Sequence, residues 1–69
     1  MVYKKITLIG RSTEGFEEAI DDAVTRAQET LDNVSWVEVK GQGVEIASVD
    51  EPEYQAEVEV AFGLTRDEE

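Results

Sequence analysis

The chain contains no cysteine and no histidine among its 69 residues. Disulfides, thiolate metal sites, thiol chemistry and every triad built on an imidazole are excluded together. Basic residues are scarce: six Lys and Arg stand against 17 Asp and Glu, giving a net charge of −11. Affinity for phosphate backbones comes from Lys and Arg, so nucleic acid is excluded as a partner. Anionic membrane surfaces attract polybasic segments and are excluded on the same ground. Long apolar runs are also missing, with nothing near the ~20 residues of a membrane helix. Residues 1–10 alternate apolar and polar positions. They lack the apolar run of about 7–15 residues that marks a signal peptide, which points to the cytoplasm. With one proline and no repeat or low-complexity stretch, one domain over 1–69 is expected, its residues 65–69 a flexible polar tail.

A globule this small hides only ~60% of its unfolded surface, so a lone copy would be marginally stable. Nearly three acids for every base also suggest a high-salt cytosol, where counterions screen self-repulsion.

The elements follow from periodicity. Val2 to Gly10 is β-branched and bounded by glycine, which predicts a first strand. Val2, Lys4, Ile6 and Leu8 share one face of it; Tyr3, Lys5, Thr7 and Ile9 share the other. A helix from Thr13 to Asp32 follows, with Phe16, Ala19, Ile20, Ala23, Val24, Ala27, Leu31 and Val34 recurring along one stripe. Ser12 or Thr13 is its expected cap and Asn33 its stop. A second strand spans Ser35 to Gly41, a bend at Gly41-Gln42-Gly43 interrupts it, and a strand pattern resumes from Val44 to Val49. The segment Asp50 to Glu53 is an exposed turn, and Tyr54 to Leu64 alternates as the last strand. The expected fold class is α+β: a β-α-β-β chain whose three-stranded antiparallel sheet, with the last strand in the middle, packs against one helix.

One helix covers one sheet face. Ile6, Leu8, Val37, Val39, Val58, Val60 and Phe62 are expected beneath it, leaving Lys5, Thr7, Trp36, Glu38, Gln55, Glu57 and Glu59 on the open side. Trp36 calls for a reason, because burying an aromatic ring removes about 150–250 Å² from water. Three readings stand side by side: a core residue of a curled sheet, an anchor in a subunit interface, or a stacking platform for a flat ligand. Gln55 shares that face and offers both a donor and an acceptor to a heteroaromatic edge. The acid pairs Glu57 and Glu59, Glu17 and Asp21, and Glu18 and Asp22 read as solvated charge. An acid/base pair needs one carboxyl in an apolar pocket, and the sequence offers none. Gly41-Gln42-Gly43 lacks the third glycine and following helix of a dinucleotide fingerprint. No metal ligands are assigned.

Four segments carry a resemblance: Val2 to Gly10, the Ser12-x-Glu14-Gly15-Phe16 helix start, Asn33 to Val39, and Glu53 to Phe62. Together they resemble the dodecins over residues 2–64, and the acid-rich surface is similar to the haloarchaeal branch. Trp36-x-Glu38-Val39 with Tyr54-Gln55 is the specific part. The resemblance implies a hollow homo-dodecamer with helices outside and open sheet faces inward. It implies non-enzymatic flavin binding, storage and photoprotective sequestration, with flavins stacked between tryptophans at Trp36 and held at the pyrimidine edge by Gln55. Glu45 is implied near the ligand or an axial channel. Gly41 stands near the flavin side chain, where archaeal relatives carry an acid. Bacterial relatives that take flavin mononucleotide have arginines aligned with Gly43 and Gly63. Glycine at both favours riboflavin or lumichrome over the mononucleotide.

Two other classes are weighed against this. One is a flavin-free oligomeric structural or interaction module with Trp36 buried in a subunit interface. The other is a small tautomerase with an N-terminal proline base, against which Met1-Val2 and the missing imidazole both speak.

Overall fold

The computed structural model describes residues 1–47 and 50–64. Four elements follow one another: β1 (Val2–Ser12), α1 (Phe16–Thr30), β2 (Val34–Glu45) and β3 (Glu53–Leu64). The sheet order is β1-β3-β2, both pairings antiparallel, as expected from placing the last strand between the first two. The fold class is thus the α+β arrangement anticipated above. The expected tail at 65–69 lies outside the described residues, as do positions 48 and 49 of the segment expected to resume a strand.

Strand β1 does not stop at Gly10. It runs two residues further and pairs to Ser12 opposite Tyr54, in a register with no slip from Val2↔Leu64 onward. Gly10 is there for packing. A Cβ on it would collide with the Ala19 carbonyl oxygen and come within 2.9 Å of the Ala23 backbone nitrogen. The bare α-carbon lets α1 settle directly onto the strand.

The helix is shorter than the apolar stripe suggests, 15 residues rather than the span from Thr13 to Asp32. Its N-cap is Gly15, and no side chain caps it. Ser12 bonds locally instead, its hydroxyl accepting from the Glu14 N–H at 3.0 Å, the turn-forming habit of serine. At the other end Leu31 is extended, and Asn33 sits at φ 62, a left-handed conformation that asparagine tolerates. The chain reverses there, and the Asn33 carbonyl accepts from the Gly63 N–H at 3.0 Å.

The core is built of small side chains. Ala19, Ala23 and Ala27 from the helix meet Ala56, Val58 and Val60 of β3, with Ile6, Leu8, Ile20, Leu31, Val34 and Val37 packed around them. Phe16 closes one end against Tyr54, ring centroids 5.0 Å apart at 78°, an edge-to-face arrangement of opposed quadrupoles. Val39 departs from expectation. It lies on the helix-facing side, opposite Val58, yet is 48% exposed. The reason is placement, since α1 lies over β1 and β3 and barely reaches β2.

Strand β2 is one element where a broken one was anticipated. Gly41 and Gly43 stay within it, paired with Glu57 and Gln55, and the ladder continues to Glu45. Irregularities fall between Val34 and Trp36 and between Val39 and Gly41. The first turns Trp36 onto the face away from the helix, and the second keeps Gly41 and Gly43 on that same face.

Candidate functional site

The face away from α1 carries two sets of residues at opposite ends of β3. The first surrounds Trp36. This side chain is 40% exposed, stands opposite Ala61, and has the Tyr3 ring against it at a centroid distance of 5.0 Å and a tilt of 58°. Its indole N–H donates to Glu38 Oε2 at 2.8 Å. Strand alternation explains the pair, because residues two apart point to the same side and an indole leaning along the strand meets the next carboxylate.

Glu38 is also held from both flanks. Lys5 Nζ on β1 lies 2.8 Å from the same Oε2, and Lys40 Nζ lies 3.4 Å from Oε1. Glu59 on the central strand completes a quartet, 3.8 Å from each lysine. These contacts set the ionisation. The Lys5 bond first, then that of Trp36, lower the Glu38 carboxyl from 4.5 to about 2. The Glu38 bond raises Lys5 above its usual 10.5, against some opposing desolvation.

The second set lines a shallow groove of about 230 Å³ bounded by Ile9, Gly41, Gln42, Gly43, Gln55 and Glu57. Added Cβ atoms at Gly41 or Gly43 would meet nothing within 4 Å, so the two glycines are what opens this trough. No basic side chain lines it. Arg11, which stands opposite Gln55, is ion-paired with Glu53. Glu45, half-buried, pairs with Glu53 at the strand end.

Of the four residues singled out from the sequence, the structure brings Gln55 and Gly41 to one groove, places Glu45 at the end of the same strand pair, and sets Trp36 apart. Trp36 stands opposite Ala61, six residues along β3 from Gln55, or ~20 Å at the rise of a strand. Both face the open side, as alternation required, but one copy cannot bring them to the same small molecule. Two partners of Trp36 were not among the site residues read from the sequence. Glu38 carried a signal, the Trp-x-Glu spacing on a strand. Tyr3 carried one only once the register β1-β3-β2 is known.

Among the described residues no group of three or more acids is placed to hold a metal ion, and no helix is long and apolar enough to cross a membrane. A sheet with one face under a helix and the other presenting a held aromatic ring and an amide-lined groove has the surface of a small binding protein. The comparisons place it further. The Dodecin family model matches residues 2–65, and the chain belongs to that family. It is 46% identical over 63 residues to the dodecin of Thermus thermophilus, covering 91% of each chain. It is 34% identical over 63 residues to the calcium dodecin of Mycobacterium tuberculosis, covering 91% of this chain and 89% of that one. The crystal structure of the tt0972 protein from Thermus thermophilus superimposes with a TM-score of 0.83 at 45% identity, covering 94% of this chain and 96% of that one.

Proposed function

We propose that this dodecin is a non-enzymatic flavin-binding protein that stores and shields riboflavin or lumichrome inside a hollow homo-dodecamer. One observation carries the reading: an aromatic ring on the open sheet face, 40% exposed, steadied at its edge by a hydrogen bond rather than packed away. A flat heteroaromatic fits that surface, since stacking contributes about 0.5–1.5 kcal/mol beyond area burial. The Gln55 amide supplies the donor and acceptor that a pyrimidine edge requires. The separation of Trp36 from Gln55 means that a flavin touching both takes the tryptophan from one copy and the glutamine from another.

The core supports assembly as well. Its fully buried side chains are no larger than valine, while Met1, Val2, Tyr3, Ile9, Val44, Ile46 and Leu64 are exposed. A copy that leaves its larger apolar groups outside gains most by burying them against further copies. The groove favours a neutral ligand. It holds Glu57 and no base, so the phosphate of flavin mononucleotide, with about −1.5 to −2 charge, would meet like charge.

Fluorescence titration of riboflavin with purified protein at high salt tests the reading. Strong quenching is expected, and Trp36→Ala should weaken binding about tenfold or more. A Trp36→Ala protein that binds and quenches like the parent overturns the proposal. In parallel titrations flavin mononucleotide should bind about tenfold more weakly than riboflavin; equal binding would show that ring contacts alone decide.

A further inference from the structure

We propose that Glu38 is the positioning residue of the stacking platform: its carboxylate fixes the plane of the Trp36 indole and puts a negative charge on the N–H edge of that ring. The inference deepens the flavin reading and rests on it for the ligand, but the hold on the indole stands on geometry alone.

An exposed tryptophan turns about two side-chain bonds, and a platform that turns is a poor one, because the ligand must then order it on binding. Two separate contacts are needed to stop the ring. Tyr3 supplies one, at 5.0 Å between centroids. The N–H···Oε2 bond of 2.8 Å supplies the other, and it is the only polar contact an indole can make as a donor.

Glu38 in turn is not free to swing. Its Oε2 takes Lys5 at 2.8 Å and its Oε1 takes Lys40 at 3.4 Å, so the carboxylate is anchored to β1 and to its own strand at once. Both lysines also approach Glu59 at 3.8 Å, which keeps two acids and two bases together on this face. The indole is thus tied through the Glu38 carboxylate to β1 and β2, and the two lysines extend the network to Glu59 on β3. A charge-assisted bond of this kind is about twice as strong as a neutral one. Glutamine at the same place would keep an acceptor for the N–H but lose the charge and both lysines.

The charge has its own consequence. Excitation of indole moves electron density from the pyrrole ring toward the benzene ring. A negative charge beside the N–H stabilises that excited state and shifts emission to the red. Trp36 is the one tryptophan of the sequence, so the emission of the ligand-free protein reports on this site alone.

The test compares the parent with Glu38→Gln, Glu38→Ala and Lys5→Met, each confirmed as folded by circular dichroism. Ligand-free emission is read first, then riboflavin titrations at the same high salt. Both Glu38 variants should emit to the blue of the parent with higher tryptophan anisotropy decay amplitude. Lys5→Met, which keeps the Trp36–Glu38 bond and leaves its carboxylate less compensated, should emit at or to the red of the parent, never to the blue. Riboflavin affinity should fall about tenfold in Glu38→Ala and less in Glu38→Gln, since the amide still accepts from the indole. Unchanged emission in both Glu38 variants overturns the proposal. So does a shifted emission with parent-like affinity in Glu38→Ala, because an unheld ring would then stack equally well. A parent that binds no riboflavin, while its Glu38 variants shift in emission, sinks the flavin reading and upholds the hold on the indole.

Discussion

Glu38 gathers an indole, two lysines and a neighbouring acid around one carboxylate, and its ionisation is tied to the fold. Its carboxyl titrates at 4.5 when unfolded and about 2 when folded. A depressed acid stabilises the folded state fully above the unfolded value and loses that contribution as pH falls through the folded one. Lys5 mirrors it, since a raised amine stabilises below 10.5 and loses the contribution as pH rises through the higher folded value. The quartet therefore favours folding across the whole range between. The Tm difference between the parent and Glu38→Gln, at constant high salt, should be level above pH 4.5 and close as pH approaches 2. A difference that persists undiminished at the acid end would disconnect the carboxylate from stability. At this scale the sequence was partly legible. Alternation sorted Trp36, Gln55, Glu38, Glu59 and Lys5 onto one face, because residues two apart within a strand share a side and the hydrophobic set of each strand marks the side the helix covers. It put Trp36 and Gln55 together on that face but could not show how far apart along it they lie, because that distance depends on which residues of β3 each one faces.

The seating of α1 on β1 turns on a single missing methyl. Gly10 lies directly under the helix, where a Cβ would strike the backbone of Ala19 and Ala23, and backbone atoms cannot rotate aside. Gly10→Ala should destabilise by about 1–3 kcal/mol, as overpacking does, measured by denaturant unfolding. Gly43→Ala is the control: its Cβ would meet nothing within 4 Å and its φ is not left-handed, so stability should hold or rise by a few tenths of a kcal/mol, about what relief of glycine entropy provides. Equal effects of the two would refute the close-approach account. Gly10 was read from the sequence as the end of a strand, because glycine usually punctuates, and only the helix above it shows the other use. Helix α1 was legible in kind and not in extent. Its stripe of alanines set the buried face, but Ser12 turned its hydroxyl to the loop and left Gly15 to start the helix. The continuity of β2 through Gly41 and Gly43 was hidden for a similar reason: β3 supplies ladder partners that outweigh the weak strand preference of glycine.

As a whole molecule the protomer is drawn out, 51 × 19 × 18 Å with a radius of gyration of 14.1 Å, where a compact chain of this length would have about 11 Å. Length without thickness leaves no interior for large side chains, which agrees with a core of alanine and valine. With a charge of −11 on each copy, copies that meet through such surfaces repel. At 0.01 M ionic strength the Debye length is about 30 Å, against about 3 Å at 1 M, so the repulsion is unscreened in dilute buffer. Light scattering should therefore find the assembled species in molar salt and a smaller mean mass as salt is withdrawn. A monodisperse folded monomer in high salt would contradict the assembled state. The charge balance was legible from composition alone, and the elongated shape was not, because it follows from strands of 11 and 12 residues running longer than the sequence pattern suggested.

The sheet order has a consequence for how the chain is made. Strands β1 and β2 lie at the two edges and share no backbone ladder, meeting only through side chains; β3, the last of the three to be synthesised, is the ladder partner of both. While the ribosome has yet to release β3, the helix has only unpaired strands to lie against, and half of its core (Ala56, Val58 and Val60) does not yet exist as structure. Nothing can be banked along the way. Neither ladder of the sheet can form before the closing strand is available, because each needs it as a partner. A copy thus becomes a folded subunit only after β3 emerges, and recruitment into any larger shell begins with a finished protomer.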